Sequence, residues 1–399
     1  MPWPLPMTVL IAVAVLPVYL YVTWRLGTAI INRWHAPSRI VRGLLLWMVG
    51  WMYLLPLQYL FTHPRNLFLY TSRLGWQDYV FLYPFWLGMI IVVEVLIYFV
   101  LIDVVYGLVV GFNLKYRERW QSGQEYLKIF LVLFFLFYVP IRAWIDSNHP
   151  RINSAKITIE GIPLEMQGLR LSLLGDVQVD RYTQDDKLTA MQKLLPVLDH
   201  DFLLFAGDIV TSGRNFIDQA LQVVCAAEAS IAKVACLGDH DFWSDSEGIT
   251  KGLQECGWEF LDNQHRVFNY RQKTVLVTGL THIYSRTLSQ TEVEAILSVA
   301  PQADLKIILV HQPARHLIET AERYGYHLFL AGHTHGGQIV FKPFGISLTP
   351  SLIEGPYYSG YYVYKSLQIV VTNGIGLTLA PLRYHSRAEI SHLLIVPES

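Results

Sequence analysis

Hydrophobic and polar positions divide this chain into two unlike parts. In the first, apolar residues run almost unbroken over the ~20 positions that a membrane-crossing helix needs. Four such windows are predicted, at 6–24, 43–61, 85–110 and 126–144. Trp24, Trp47, Trp51, Trp120 and Trp144 lie near their ends, where interfacial aromatics sit. Arginines, not a small-residue cleavage site, follow the first window, so it reads as an anchor and not a signal peptide. Residues 146–154 are polar and turn-prone and read as a linker. Beyond them, short apolar runs alternate with segments of helical spacing. Strands are predicted at 156–160, 171–174, 201–206, 231–237, 275–279, 305–310 and 327–331, with helices at 187–198, 216–229, 248–255, 290–298 and 316–324. Buried strands alternating with helices define an α/β domain, here 155–399 behind a helical region of 1–145.

Charge adds an orientation. The loop after the first window carries Arg25, Arg33, Arg39 and Arg42, and the loop after the third carries Lys115, Arg117, Arg119 and Lys128. The loop after the second has Arg65 and Arg73. Basic loops stay cytoplasmic, so the α/β domain is expected on the opposite, outer face. Glu94 and Asp103 fall inside the third window. An acid there is a functional candidate; more simply, Asp103 lies near the interface and Glu94 hydrogen-bonds within the bundle. Hydrophobic content is 52%, above the ~45–50% of ordinary soluble proteins, and the excess sits in the helical region. A net charge of −1 gives no reason to expect nucleic acid. Cys225, Cys236 and Cys256 lack CxxC spacing and read as buried apolar residues, not as a disulfide framework.

The chemistry gathers after the apolar strands. Leu330 to Gln338 includes Gly332-His333-Thr334-His335-Gly336-Gly337, with two imidazoles at i and i+2. On an extended segment they would point the same way. Other strand ends carry Asp176, Gln178, Asp208, Asp239, His240 and His311. Open α/β sheets place their ligands beyond the carboxyl ends of strands, so these residues are expected on one rim. Carboxylate and imidazole donors without thiolate suit Mn, Fe or Zn. Eight donors exceed the needs of one ion and match two divalent ions sharing a bridging carboxylate. Two such ions could each hold a phosphate oxygen and activate a water for in-line attack, with a neighbouring histidine as proton donor.

Set in order, these residues resemble the calcineurin-like metallophosphoesterase superfamily. Its motifs stand here as Gly175-Asp176-Val177-Gln178, Gly207-Asp208, Gly238-Asp239-His240-Asp241, Val310-His311 and Gly332-His333-Thr334-His335. The tail, with Asn373-Gly374-Ile375-Gly376, Pro381-Leu382-Arg383 and Glu389-Ile390, resembles its membrane-anchored bacterial branch. The resemblance implies a two-sheet β-sandwich flanked by helices. It implies Asp176, Gln178, Asp208 and His335 around a first metal, and Asp208, Asp239, His311 and His333 around a second. It makes His240 the group that contacts phosphate and protonates the leaving oxygen. The implied substrate is a phosphate-containing small molecule or lipid, cleaved at a diester or pyrophosphate bond, in a protein of the bacterial inner membrane facing outward.

Two positions depart from the usual motifs. Gln178 stands where most members have His, and Asp239 where most have Asn. The added carboxylate lowers the positive charge facing a phosphate, which favours a diester or pyrophosphate over a dianionic monoester. Asp241 either orients His240 or caps the following helix. Arg383 is a candidate phosphate contact or else a carboxylate partner. His265, His282, His316 and His327 read as packing or surface histidines, and the tyrosines of 357–364 as a sheet face. The rival reading is a non-catalytic sensor that binds a phosphorylated ligand at a weakened metal site.

Overall fold

The computed structural model describes residues 4–61, 72–112 and 117–398. Arg65 and Lys115, two of the loop charges used above, lie outside the described residues. Two compact units emerge. The helical unit comprises residues up to Ala143 together with 341–347 and 379–381, and the rest of the chain forms the second.

In the helical unit, α1 spans Pro4–Trp34, α2 Ser38–Met52, α3 Leu54–Phe61 and α4 Tyr83–Phe112, and α5 runs Arg117–Asn148 into the second unit. By length and composition, Leu5–Trp34, Asp78–Val109 and Arg117–Asn148 can each cross a bilayer. The window expected at 43–61 is not one straight helix, because α2 and α3 meet at a bend of 44°. Pro56 has no N–H for the carbonyl one turn back at Met52 and crowds it. The pair makes a fourth span only if counted as one broken helix. Arg25 and Arg33, read as loop charges, lie within α1, and Lys128 lies within α5. Asp103 of α4 accepts from Tyr21 at 2.6 Å and pairs with Arg25 and Lys128, while Glu125 pairs with Arg33 at 2.9 Å. The charge of Asp103 is thus met inside the bundle, by side chains of α1 and α5.

In the second unit the expected linker is taken up by the end of α5 and by β1, Arg151–Ile159, with Pro150 marking the helix stop. The remaining strands are β2 Arg170–Leu174, β3 Phe202–Phe205, β4 Ala232–Ala235, β5 Trp258–Phe260, β6 Gln264–Tyr270, β7 Lys273–Leu280, β8 Leu305–Val310, β9 Leu328–Ala331, β10 Gly360–Tyr364, β11 Leu367–Val371 and β12 Glu389–Pro397. They form two six-stranded sheets, ordered β1-β12-β2-β3-β4-β5 and β10-β11-β9-β8-β7-β6. Strands β2 to β5 run parallel, as do β7, β8, β9 and β11.

Alternation along each strand builds the layers. Leu171, Leu173, Phe202 and Leu204 face Val275, Val277, Ile307 and Leu309 between the sheets. Leu203 and Phe205 point outward and pack with α6 (Asp185–Leu194), α7 (Ile217–Cys225) and α8 (Asp239–Glu255). Ile308, Val310 and Phe329 pack likewise with α9 (Gln290–Ser298) and α10 (Arg315–Arg323). Burial on both faces explains why these strands read as unbroken apolar runs. The result is the α/β fold anticipated, a two-sheet sandwich flanked by helices.

The cysteines correct the sequence reading. Cys225 and Cys256 form a disulfide with Cα atoms 5.6 Å apart, and Cys236 is free and buried. The partners close two different helices, so their spacing along the chain carries no CxxC-like signal.

Candidate metal centre

The parallel strands of both sheets deliver their C-terminal ends to one place. Asp176 and Gln178 follow β2, Asp208 follows β3, and Asp239 follows β4 as the first residue of α8. From the other sheet come His311 after β8, and His333 and His335 after β9. Asp176, Gln178, Asp208, His333 and His335 all have positive φ, between 43° and 71°. Such backbone costs ~1–3 kcal/mol per residue and clusters where a site demands it.

The His-x-His segment is not extended, as its spacing had implied. The chain turns at once after β9, and the two rings diverge. His333 Nδ1 lies 3.1 Å from Asp239 Oδ2 and 3.2 Å from His311 Nε2. His335 Nε2 lies on the other side, 3.6 Å from Asp176 Oδ1. His311 Nε2 sits 3.3 Å from both Asp208 Oδ2 and Asp239 Oδ2. Two groups of donor atoms, Asp239-His311-His333 and Asp176-Asp208-His311, are compact enough to hold a metal ion. Gln178 joins the second through its Nε2, which donates to Asp208 Oδ2 at 3.2 Å. Gly332 permits the approach, since a Cβ there would lie 2.6 Å from Asp176 Oδ2, the oxygen that accepts from His333 N at 2.8 Å.

The electrostatics of the donor set point to cations. Burial alone would raise Asp208 and Asp239, yet His311 with His240 at the former, and with His333 at the latter, holds both far below the carboxylate range. His333 is pushed up to about 9: burial opposes the rise, but Asp239 and Glu354 outweigh it. Protons on His311 and His333 thus occupy positions where divalent charge would sit. Asp176, by contrast, is raised to about 6 by burial. Its Oδ1 and Gln178 Oε1 are buried without a hydrogen-bond partner. Two orphaned buried oxygens are costly, and a metal ion would satisfy both. The residues present fit divalent metal.

Neighbours fix the donors. His311 Nδ1 donates to Ala206 O at 2.7 Å, which leaves Nε2 as the atom facing the donor cluster. His240 Nδ1 donates to Thr211 O, and its backbone N donates to Asp208 Oδ1 at 2.8 Å. Asp241 does not orient the His240 ring. Its carboxylate accepts from Asp208 N (2.7 Å), Ile209 N (2.7 Å) and Gly238 N (3.1 Å), capping α8 and clamping the Asp208 loop. Gln312 Nε2 and Tyr284 N donate to Asp239 at 2.8 and 2.6 Å. Glu354 accepts from Tyr284 Oη at 2.8 Å and meets His333 Nε2 at 3.0 Å. Gln312, Tyr284 and Glu354 were not anticipated: they sit in irregular loops, where no period marks a side chain's direction.

Arg383, read as a phosphate contact or else a carboxylate partner, spends its hydrogen bonds on carbonyl oxygens. It is fully buried. Its guanidinium donates to Gly376 O (3.1 and 2.7 Å), Asn373 O (2.7 Å) and His335 O (2.8 Å). Ile375 N and Gly376 N in turn donate to Asp176 O at 3.1 and 2.7 Å. The tail motif therefore braces the Asp176 and His335 loops from behind. His265, His282 and His327 hydrogen-bond to Thr278, Leu288 and Lys306 as packing histidines.

Residues 169–337 match the family model of the calcineurin-like phosphoesterases, and the chain carries a domain of that family. A transmembrane protein with metallophosphoesterase domain from Danio rerio is 26% identical over 258 residues, 62% of this chain and 58% of that protein. The chain thus spans less than two thirds of that relative's length. The uncharacterised metallophosphoesterase YkuE of Bacillus subtilis is 25% identical, over 58% of this chain and 80% of its own. An uncharacterised metallophosphoesterase of Helicobacter pylori is 24% identical, over 71% of this chain and 74% of its own. Phosphoester hydrolysis dependent on divalent metal is the chemistry of this family.

Proposed function

We propose that this protein is a membrane-anchored hydrolase that cleaves a phosphodiester or pyrophosphate bond at a centre of two divalent metals. The observation that carries the reading is the split of donors about Asp208, with orphaned Asp176 Oδ1 and Gln178 Oε1 on one side and His311, His333 and Asp239 on the other. Asp176, Gln178, Asp208 and His335 would hold one ion, and Asp208, Asp239, His311 and His333 the other, with Asp208 shared. Bound there, Mn, Fe or Zn would supply charge for the phosphate oxygens and acidity for a water. The protein's own residues supply direction. His240 is fixed with hydrogen on Nδ1, so its Nε2 is the atom that meets the substrate, and a proton held there passes to the leaving oxygen. A phospho-ligand sensor would have no need of that proton donor.

Placement of the domain outside the cytoplasm is supported by the Cys225–Cys256 disulfide, since such bonds persist in oxidising compartments. A lipid or cell-envelope substrate is supported by the helices long and apolar enough to cross a bilayer, since a soluble substrate needs no tether. The test is hydrolysis of bis-p-nitrophenyl phosphate and p-nitrophenyl phosphate by detergent-purified full-length protein, with Mn²⁺ and with chelator. Metal-dependent turnover with a diester preference is expected, because Asp239 adds a negative charge beside the phosphate. A monoester preference would refute the charge argument.

A further inference from the structure

Within the helical unit, α4 and α5 frame a cavity of about 600 Å³, a volume within the ~300–1,000 Å³ usual for ligand sites. Its walls change character along the helices. Residues 113–116 alone separate α4 from α5, so the two run antiparallel, and the Lys128–Asp103 pair sets them level with each other. Leu101 and Val105 of α4 and Leu127 of α5 therefore make the deeper part apolar, while Arg119 and Trp120 stand at the mouth, at the start of α5. Arg119 and Leu127 are about 12 Å apart along the helix axis, at 1.5 Å per residue.

The charges define what the mouth accepts. Three neighbouring cations are matched inside the bundle: Arg25 and Lys128 by Asp103, and Arg33 by Glu125. Arg119 is exposed at the rim and, among the described residues, has no carboxylate partner. Gln124 also lines the cavity, and its Oε1 accepts from Lys128 Nζ at 3.0 Å, which leaves the amide N–H to donate. Between these donors Gly123 keeps the slot open, since nothing lies within 4 Å of the place its Cβ would take. Trp120 marks the level of the membrane interface, where indoles meet headgroups. An anionic head above an acyl chain satisfies both parts of the slot, and basic pockets between membrane helices bind such heads. A free anion would leave Leu101, Val105 and Leu127 uncovered, and a plain hydrocarbon would leave the guanidinium unpaired.

We propose that the cavity between α4 and α5 is a binding site for an anionic phospholipid, with an acyl chain along Leu101, Val105 and Leu127 and the headgroup at Arg119 and Gln124. The site belongs to the anchor and does not depend on the chemistry at the metal centre. The test uses full-length protein in phosphatidylcholine nanodiscs doped with phosphatidylglycerol or phosphatidylcholine brominated near the head of the acyl chain. Bromine quenches nearby indoles, and subtracting the Trp120→Phe signal isolates Trp120 from the other tryptophans. Brominated phosphatidylglycerol is expected to quench Trp120 at about one fifth the concentration that phosphatidylcholine needs, the worth of one cation at a membrane surface. Arg119→Gln should bring the two lipids level without changing the response to phosphatidylcholine. Gly123→Leu, whose side chain enters open space, should fill the slot and weaken quenching by both. Equal quenching of wild type by the two lipids would mean ordinary surrounding lipid and overturn the proposal. So would an undiminished preference in Arg119→Gln, full quenching in Gly123→Leu, or no quenching of Trp120 by either lipid.

Discussion

Glu354 Oε2 stands 3.0 Å from His333 Nε2, across the imidazole from Asp239, whose Oδ2 is 3.1 Å from Nδ1. A carboxylate behind a histidine fixes its tautomer, aims its free nitrogen and raises its basicity as a ligand, and removing it typically costs ~10–100-fold in metal affinity. Glu354→Ala should therefore raise the Mn²⁺ concentration for half-maximal hydrolysis by about that factor, with activity recovering at saturating metal. An unchanged metal requirement would show the contact to be incidental.

His240 makes a different prediction, because its hydrogen bond to Asp208 does not come from the side chain. The bond to Asp208 Oδ1 comes from the His240 backbone and survives substitution. His240→Ala should lower kcat by ~10²–10⁴-fold, the usual worth of a positioned proton donor, while bound metal measured by elemental analysis stays at the wild-type level. Loss of metal together with activity would make His240 a ligand.

The pH dependence follows from the histidines. In the metal-free domain burial opposes protonation of His333, but Asp239 and Glu354 win and carry it up to about 9. His311 is likewise raised well above its ordinary range, by Asp208 and Asp239 against burial. A metal must displace those protons, so its affinity should rise with pH and level off above about 9 for the His333 contribution. The same raised value means His333 stabilises the metal-free fold fully below ~6.5, its unfolded value, and loses that contribution as pH climbs through about 9. The thermal stability of metal-free protein should fall over this window, and that of metal-saturated protein should not follow it. Parallel curves would contradict the assignment.

The disulfide predicts a stability effect separate from the site. Cys225 and Cys256 are separated by 31 residues, and closing a loop of that size is typically worth ~2–4 kcal/mol. Cys225→Ser should lower the unfolding midpoint of the oxidised protein by several degrees and remove its sensitivity to reductant. Cys236→Ser should leave the reductant sensitivity intact.

The strand-and-helix alternation was readable because the parallel strands are buried on both faces, so each appears as a short apolar run such as Leu305–Val310. Edges were harder. β6 has mostly exposed or half-buried residues and no such run, and it went unpredicted. α8 begins at Asp239, inside a motif that looked like loop, because its cap is the Asp241 carboxylate and not an apolar period. The metal donors were visible as polar residues abutting apolar strands. Their division between two positions came only from the family resemblance and not from the spacing, since it depends on left-handed backbone at His333 and His335. Arg383 read as a phosphate contact or a carboxylate partner because a lone arginine in a motif carries no sign of its burial. Its partners are carbonyls, which every residue has.

The most direct test is to titrate chelator-stripped full-length protein in detergent with Mn²⁺, counting bound metal while following bis-p-nitrophenyl phosphate hydrolysis. Two ions per chain with turnover that requires both are predicted, together with loss of turnover and of at least one ion in Asp208→Asn. Hydrolysis that persists without metal, or an Asp208→Asn variant that binds and turns over like wild type, would contradict the two-metal account.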